Sequence, residues 1–265
     1  MRTTRAFRPR GAVEKAVNAS SVLRKSAIVV PLLVVSAAAV RMAAFWRGVG
    51  RSRALAASSQ RYERRQAASA HAILVLGDST GVGVGAEQPE DSIAGRLATD
   101  FPHSDIVNIS RSGARVADAL AQVRQCVAEG RRFDVAVLHL GGNDVVRGTD
   151  VDELAAACEA LMAELKSVAR RTVWLGPPNI GLAPLFPLPY AWLMASRTRT
   201  ATSVFAASAA RHDVAYVDFS TPEHGERLRR GKKDHFASDG FHPSSSSYGY
   251  GYATVRDAML AQPDR

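Results

Sequence analysis

The sequence predicts an α/β protein whose parallel sheet is covered by helices on both faces. Five short runs of mainly apolar, often β-branched residues recur from residue 72 onwards. These runs are apolar at successive positions, which is typical of strands buried on both faces. Segments with the apolar spacing of helices lie between them. Alternation of this kind favours a parallel sheet between two helical layers.

The strand and helix candidates follow one another in a regular order. The strands are predicted at 72–77, 105–110, 133–142, 172–177 and 213–219. The helices are predicted at about 90–100, 114–130, 150–169, 190–211 and 246–262. The chain from residue 71 to residue 265 is long enough for one core of this kind, so we predict a single folded domain there. In such open sheets the active site lies at the carboxyl ends of the strands.

The first quarter of the chain has a different composition. The whole chain carries a formal charge of +9, yet residues 1–70 hold 14 Lys and Arg against two Glu, and residues 71–265 are slightly acidic. We divide this quarter into a basic segment (1–26), an apolar segment (27–46) and an Arg-rich helical or flexible tether (47–70). The apolar segment has the length of a membrane-spanning helix. We predict an anchor there, while a cleaved signal peptide, an interfacial helix and a soluble helical arm stay open.

The basic excess points to a membrane surface at least as readily as to nucleic acid. Basic residues beside an apolar segment suit anionic lipid, and no nucleic-acid recognition motif accompanies them, so we predict no nucleic-acid partner. Arginines and lysines flank the apolar segment about equally, so they do not set its orientation. An N-terminal anchor followed by one domain suits export. We therefore expect a membrane-associated protein on the extracytoplasmic or periplasmic face, with the cytoplasm as the alternative.

Four polar clusters fall at predicted strand ends or in loops on the carboxyl side of the sheet. They are Gly77-Asp78-Ser79-Thr80, Ser110-Arg111-Ser112-Gly113, Gly141-Gly142-Asn143-Asp144 and Asp239-Gly240-Phe241-His242-Pro243. Because the carboxyl ends of parallel strands meet at one edge, a single pocket can collect all four clusters.

These clusters contain the groups that acyl transfer requires, namely a nucleophile, a base, a group that holds the base, and oxyanion donors. Ser79 is the candidate nucleophile and His242 the candidate general base. Asp239, three residues before His242, can reach the same imidazole and select its tautomer. The backbone N–H groups of Ser79 and Gly113 and the side-chain amide of Asn143 are the candidate oxyanion hole.

The order of these blocks resembles a known family. Gly-Asp-Ser, Gly, Gly-x-Asn-Asp and Asp-x-x-His, in that order, are similar to the four signature blocks of the SGNH (GDSL-type) hydrolases. Ser79, Gly113, Asn143 and His242 match the four residues that name the family, and Asp239 matches its triad acid. The likeness covers residues 71–262. It implies a flavodoxin-like three-layer α/β/α sandwich and a serine esterase, lipase or acylhydrolase that needs no cofactor.

The substrate is predicted from a segment after the fourth strand. Residues 177–192 carry five prolines and many large apolar side chains. Such a segment lines an acyl pocket, contacts a bilayer, or simply packs into the core. We predict a lipid-like or medium-chain acyl ester or thioester as the substrate. The alternatives are an O-acetylesterase acting on envelope polysaccharide and, from a different class, an inactive membrane-tethered binding domain.

The remaining polar and special residues receive structural predictions. Two cysteines exclude a disulfide scaffold or a Cys-built zinc site; Cys126 and Cys158 are predicted in the core, with a single bridge left open. The histidines lack metal-ligand spacing, so we expect no metal site, and the family resemblance implies that no cofactor is needed. Glycines 81–85 lack dinucleotide-binding spacing and are predicted to form a mobile loop beside the nucleophile.

Five other polar residues near the predicted site receive predictions of their own. His139 is predicted to be a hydrogen-bonded core histidine, and Asp78 and Asp144 are predicted to hold loops. Arg111 and Arg115 are predicted to be surface residues or contacts to an anionic substrate group.

Overall fold

The computed structural model describes residues 11–66, 69 and 71–261, with side chains omitted for 11–33 and 233. The chain divides after Trp46 into two compact units. A long helix, α1 (Gly11–Ser58), supplies residues to both units. In the first unit, the side chains of Val34, Val35 and Val40 are exposed.

The predicted anchor at 27–46 is not confirmed. In the part of the chain that the structure describes, no helix is long and apolar enough to cross a bilayer. The side chains of residues 27–33, and those of the basic segment 1–26, lie outside that part. The predicted location on the extracytoplasmic or periplasmic face stays a prediction.

The second unit is built on a five-stranded parallel sheet. Its strands are β1 (His71–Gly77), β2 (Ser104–Asn108), β3 (Phe133–His139), β4 (Ala169–Leu175) and β5 (Ala215–Val217). Their order in the sheet is β2-β1-β3-β4-β5, and every neighbouring pair is parallel. The chain first moves outward to β2 and then crosses β1 to add β3. This reversal on either side of β1 is where α/β proteins of this type bind ligands.

Helices cover both faces of the sheet. They are α2 (Ser79–Val82), α3 (Ile93–Asp100), α4 (Val116–Ala128), α5 (Gly142–Arg147), α6 (Val151–Val168), α7 (Tyr190–Arg211), α8 (Pro222–Arg230), α9 (Lys232–His235) and α10 (Ser245–Ala261). One buried cluster joins Leu74 and Leu76 of β1 to α4, α6 and α7, and the other joins Ile73 and Val75 to α3 and α10. Successive residues of β1 therefore enter opposite cores, which explains the continuous apolar run. The predicted three-layer fold is confirmed.

The structure differs from the predicted elements in length and in number. β5 has only three residues, and β3 ends at His139 because the glycine-rich turn begins just after it. The short helices α2, α5, α8 and α9 were not predicted. α8 is a charged surface helix without an apolar stripe. Its beginning is indicated instead by the N-cap Thr221, whose hydroxyl accepts the His224 amide, and by Pro222 in the first turn.

Both cysteines lie in the core, and no bridge joins them. Cys126 of α4 and Cys158 of α6 are free and buried. Burial raises the pKa of Cys158 to about 12, so this thiol stays protonated at neutral pH. The two residues act as small apolar groups between neighbouring helices.

The segment after α1 is attached to the edge of the sheet. The backbone of Arg64 forms an antiparallel bridge with Ile106 of β2, with N–O distances of 3.0 and 2.7 Å. The Arg64 guanidinium donates to the carbonyl oxygens of Ala98, Phe101 and Ser104. In the described residues of 47–66, the predicted tether is a helix followed by this edge segment.

Candidate active site

Ser79, His242 and Asp239 form one chain of hydrogen bonds at the carboxyl edge of the sheet. The Oγ of Ser79 lies 2.9 Å from Nε2 of His242, and Nδ1 of His242 lies 2.6 Å from Oδ2 of Asp239. All three residues are buried. A hydroxyl, an imidazole and a carboxylate in this order can pass the hydroxyl proton to the imidazole while the carboxylate stabilises the resulting cation.

The Asp239 carboxylate is held on every side. Its Oδ1 accepts the backbone N–H groups of Phe241 and His242 at 2.9 and 3.0 Å. Its Oδ2 accepts the imidazole of His242 and also the hydroxyl of Ser52, which is 2.7 Å away. Burial alone favours the neutral acid, but the hydrogen bonds from His242, Phe241 and Ser52 outweigh it and hold the pKa of Asp239 well below its usual range. The carboxylate is therefore ionised in the folded protein at neutral pH.

Ser79 is placed by a tight turn at the end of β1. Asp78 caps α2, because its Oδ1 accepts the backbone N–H and the hydroxyl of Thr80 at 2.8 and 2.7 Å. The Asp78 amide donates to the carbonyl of His139 in β3 at 2.9 Å. A Cβ on Gly77 would lie 2.3 Å from that carbonyl oxygen, so only glycine fits the turn. Asp78 thus has the loop-holding role predicted for it, and burial raises its pKa.

The glycines at 81–85 form a packed turn, so the predicted mobile loop is wrong. Residues 81–84 are buried. A Cβ on Gly81 would lie 2.4 Å from Oγ of Ser110. Gly85 has a φ of +97°, and a Cβ there would lie 2.3 Å from the carbonyl oxygen of Pro243 and 3.1 Å from Cβ of His242. The glycines let this turn pack closely against the segment after β2 and against the loop that carries His242. This packing holds Ser79 and His242 in place.

Gly113 lies on the loop after β2, and Asn143 lies in the first turn of α5, which follows β3. Gly113 has a φ of +85°, which favours glycine, and its carbonyl accepts Nη2 of Arg147 at 3.0 Å. Nδ2 of Asn143 donates to the carbonyl of Ala114 at 3.1 Å, so α5 is joined to the loop after β2 beside the candidate oxyanion donors. Asp144 of α5 also holds this region, since its carboxylate accepts the Val116 amide and the Thr149 hydroxyl, each at 3.1 Å.

His139 differs from its prediction. It is buried at the end of β3, as expected of a core residue, but its Nε2 has no hydrogen-bond partner among the described residues. Burial lowers its pKa to about 4, so the ring is neutral at pH 7. His139 lies in the wall of a cavity that adjoins Ser79 and His242, and it takes no part in the hydrogen bonds that join Ser79, His242 and Asp239.

The two arginines beside Gly113 do not line this cavity. Arg115 forms ion pairs with Asp118 and Glu153 on the surface, at 3.9 and 3.6 Å. Arg111 is exposed. Their exposure and ion pairs agree with the prediction that both are surface residues, and the alternative contact to an anionic substrate group stays a prediction.

A cavity of about 160 Å³ adjoins Ser79 and His242. Its wall is mainly apolar, and α8, α9 and α10 supply one side of it. The apolar and aromatic wall residues include Ile93, Leu140, Leu175, Pro177, Pro178, Ile180, Ala183, Phe219, Leu228, Phe236, Phe241, Tyr248 and Tyr250. Such a wall suits an apolar group attached to the reacting carbonyl.

The proline-rich segment 177–192 has three different environments. Pro177, Pro178, Ile180 and Ala183 line the cavity. Phe186 packs edge-on against Phe241, with ring centroids 5.7 Å apart. By contrast, Leu188 and Trp192 are 52% and 69% exposed. The pocket and core interpretations therefore each describe part of this segment.

Several residues of the site have no signal in the sequence. Arg147 and Ser52 are polar residues on helices, outside any motif, and only the fold brings them to Gly113 and Asp239. Phe219 lies in the turn after β5 and Tyr250 lies in α10, and their apolar character predicts core packing as readily as a cavity wall. In the part of the chain that the structure describes, no three His, Cys, Asp or Glu side chains lie together in a way that suits a metal ion.

The fold is shared with solved esterase structures. TesA is 24% identical, with a TM-score of 0.56, over 71% of this chain and 97% of that chain. The psychrotrophic esterase EstA from Pseudoalteromonas sp. is 20% identical, with a TM-score of 0.56, over 72% and 97%. Axe2, an acetyl xylan esterase from Geobacillus stearothermophilus, is 21% identical, with a TM-score of 0.54, over 74% and 98%. None of the curated proteins compared with the chain matches it significantly.

The family is shown by the sequence match. Residues 75–250 match the GDSL-like lipase/acylhydrolase family, and this range contains Ser79, Gly113, Asn143, Asp239 and His242. The match spans more than half of the chain and agrees with the three-layer fold and the hydrogen-bonded site. The chain therefore belongs to the GDSL-like lipase/acylhydrolase family and is a serine-dependent carboxylic ester hydrolase.

Proposed function

We propose that Ser79 is the nucleophile of an acyl hydrolase whose preferred substrates carry a medium-chain or lipid-like acyl group. The chain of hydrogen bonds from Ser79 through His242 to Asp239 carries the assignment of roles. The apolar cavity beside Ser79 supports the acyl preference, since an acetyl group alone would leave most of its wall without a partner.

The mechanism follows from the positions of the protons. As Oγ of Ser79 attacks the acyl carbon, Nε2 of His242 takes its proton, and Asp239 stabilises the imidazolium. The backbone N–H groups of Ser79 and Gly113 and the Asn143 amide donate to the oxyanion. Collapse of the tetrahedral intermediate breaks the bond to the alcohol or thiol, which leaves with the proton from His242. Water then attacks the acyl-enzyme while His242 takes one of its protons. Collapse of this second intermediate breaks the bond to Oγ of Ser79, which recovers its proton from His242, and the acid is released.

Asn143→Ala is expected to lower kcat by about 10²–10³-fold with little change in KM, because an oxyanion donor acts mainly in the transition state. The measurement is steady-state hydrolysis of a p-nitrophenyl ester. Asn143→Asp is the matched variant, since it keeps the size but replaces the donor by an acceptor, and it should lose at least as much activity. Near-normal kcat in both variants would remove Asn143 from the oxyanion hole.

The acyl preference predicts a rise in kcat/KM from p-nitrophenyl acetate to the octanoate. Gly251 of α10 lines the cavity, and a Cβ there would lie 3.8 Å from Ile93 and 3.9 Å from Phe219, so a larger side chain fits but fills the space. Gly251→Leu should reduce kcat/KM for the octanoate by about tenfold or more relative to the acetate. Gly251→Ala is the control and should change this ratio little.

The same series distinguishes the alternative substrates. A steep preference of the unaltered protein for acetate would contradict the acyl-pocket proposal and favour an O-acetylesterase. An inactive binding domain predicts that an organophosphonate does not label Ser79. The EstA structure is described as inhibited by monoethylphosphonate, which makes a phosphonate a suitable probe here.

A further inference from the structure

A serine of helix α1 contacts the active site directly. Serines within helices commonly donate to a carbonyl of their own helix, and Ser58 and Ser59 both donate to the carbonyl of Leu55 in this way. Ser52 instead donates to Oδ2 of Asp239, at 2.7 Å and 187 residues away along the chain. The helix therefore supplies a polar contact to the innermost group of the site.

The contact completes the hydrogen bonding of a carboxylate that has no access to solvent. The Asp239 side chain is 0% exposed. Two backbone amides donate to Oδ1, whereas the donors to Oδ2 within the described part of the chain are His242 and Ser52. Without Ser52, the imidazole would be the single donor to that oxygen among the described residues. A buried charge with a missing donor is costly, so this hydroxyl has a substantial effect on the carboxylate.

Two further contacts hold residues 48–52 of α1 against the loop that carries Asp239 and against the proline-rich segment. Nη1 of Arg51 donates to the carbonyl of Ser238 at 3.3 Å, on the loop that carries Asp239. A Cβ on Gly48 would lie 2.4 Å from Cδ1 of Leu185, so the helix backbone lies directly against the proline-rich segment. Ser52 is thus one of three neighbouring contacts on one face of residues 48–52, and its position does not depend on a single flexible side chain.

We propose that Ser52 is a positioning residue for the reaction, and that residues 48–52 therefore support the active site although they precede the segment 75–250 that matches the family. This inference rests on the proposed function of Ser79, His242 and Asp239. The Ser52 hydroxyl holds Oδ2 in the direction of His242. By sharing that oxygen, it also weakens the attraction of the carboxylate for the imidazolium.

The effect on pH dependence has a definite sign. Ser52→Ala removes one donor from Oδ2, so the carboxylate binds the imidazolium more strongly. The acid limb of kcat/KM should therefore move to higher pH. Asp78, Tyr248 and Arg51 lie near the Asp239–His242 pair, and His139, His224, Arg227 and His235 line the same cavity as His242. Ser52→Ala leaves all of these groups in place, so the shift is assigned to loss of the Ser52 hydroxyl.

The experiment compares kcat, KM and the pH profile of full-length Ser52→Ala with those of the unaltered chain. We expect kcat to fall by about tenfold, as for loss of one hydrogen bond to a charged group, with KM nearly unchanged. Ser52→Thr, which keeps the hydroxyl, should restore both the rate and the acid limb. Ser58→Ala, in which only a hydrogen bond to the helix itself is lost, should behave as the unaltered chain. A normal rate and pH profile in Ser52→Ala, or failure of Ser52→Thr to restore them, would overturn the inference.

A double-mutant cycle separates action through Asp239 from a general effect on packing. If Ser52 acts through the carboxylate, Ser52→Ala should lower kcat much less in an Asp239→Asn background than in the unaltered chain. Equal losses in both backgrounds would show that the serine acts elsewhere. The proposed function is tested separately by Ser79→Ala. Full activity in Ser79→Ala contradicts that function, whereas an inactive Ser79→Ala together with a normal Ser52→Ala contradicts only the role of Ser52.

Discussion

Ser79→Ala is expected to reduce kcat for p-nitrophenyl ester hydrolysis by about 10⁴–10⁶-fold, because it removes the atom that forms the acyl-enzyme. Residual hydrolysis would come from the oxyanion donors and from substrate binding, which the substitution leaves intact. The unaltered protein should also show a burst of p-nitrophenol equal to the concentration of active sites if deacylation is slower than acylation. The burst should be absent in the variant.

Ser167→Ala is a suitable control for this substitution. Ser167 lies on the exposed surface of α6, where, as far as the structure describes the chain, its hydroxyl donates only to the carbonyl of Glu164. Its removal should leave kcat unchanged. Melting temperatures of both variants, measured together with the rates, would show that neither is unfolded. Turnover of Ser79→Ala close to that of the unaltered protein would contradict covalent catalysis by Ser79.

Much of this site is predictable because its parts are short and local. Asp239 and His242 are three residues apart on one loop, so their proximity needs no knowledge of the fold. Ser79 and Asn143 each follow a strand whose central residues are apolar, and parallel strands bring their carboxyl ends to one edge. The strands themselves were recognisable for the same reason, since both faces are buried and the apolar run is continuous.

The parts that escaped prediction depend on long-range contacts or on exact packing. Ser52 lies 187 residues from Asp239, and a serine in an Arg-rich helix has no feature that distinguishes it from its neighbours. The glycines at 81–85 have the composition of a flexible loop, but each close approach to Ser110 or Pro243 becomes visible only in three dimensions. Composition reports that a backbone can adopt unusual angles, whereas the fold determines whether it is held in them.

His139 shows the same limit for a polar residue. Its place on an apolar strand correctly indicates burial, and a buried ring nitrogen normally has a hydrogen-bond partner. The structure supplies none for Nε2 among the described residues, and the ring is instead neutral beside the cavity. A strand pattern determines which face a side chain lies on, but the partner comes from another element that the pattern does not identify.

Asp239→Asn should lower kcat by about 10⁴-fold although the substitution hardly changes the size of the side chain. The reason is that the two carboxylate oxygens have different hydrogen-bond partners. Oδ1 accepts two backbone N–H groups, and only an oxygen can take that place. The asparagine NH₂ group must therefore occupy the place of Oδ2 and donate to Nδ1 of His242. The ring then carries its proton on Nε2, which faces Ser79 and can no longer accept the serine proton.

The measurement is kcat of full-length Asp239→Asn as a function of pH, with Asp257→Asn as the control. Asp257 lies on the exposed face of α10 and pairs only with the neighbouring Arg256 among the described residues, so its loss should not affect the rate. Phosphonate labelling of Ser79 should slow in parallel with kcat in Asp239→Asn, because both reactions need the serine proton to be removed. A nearly normal rate in this variant would mean that the asparagine does not impose the wrong tautomer on His242. The backbone contacts of the loop, rather than the charge of Asp239, would then be what holds the base in its working state.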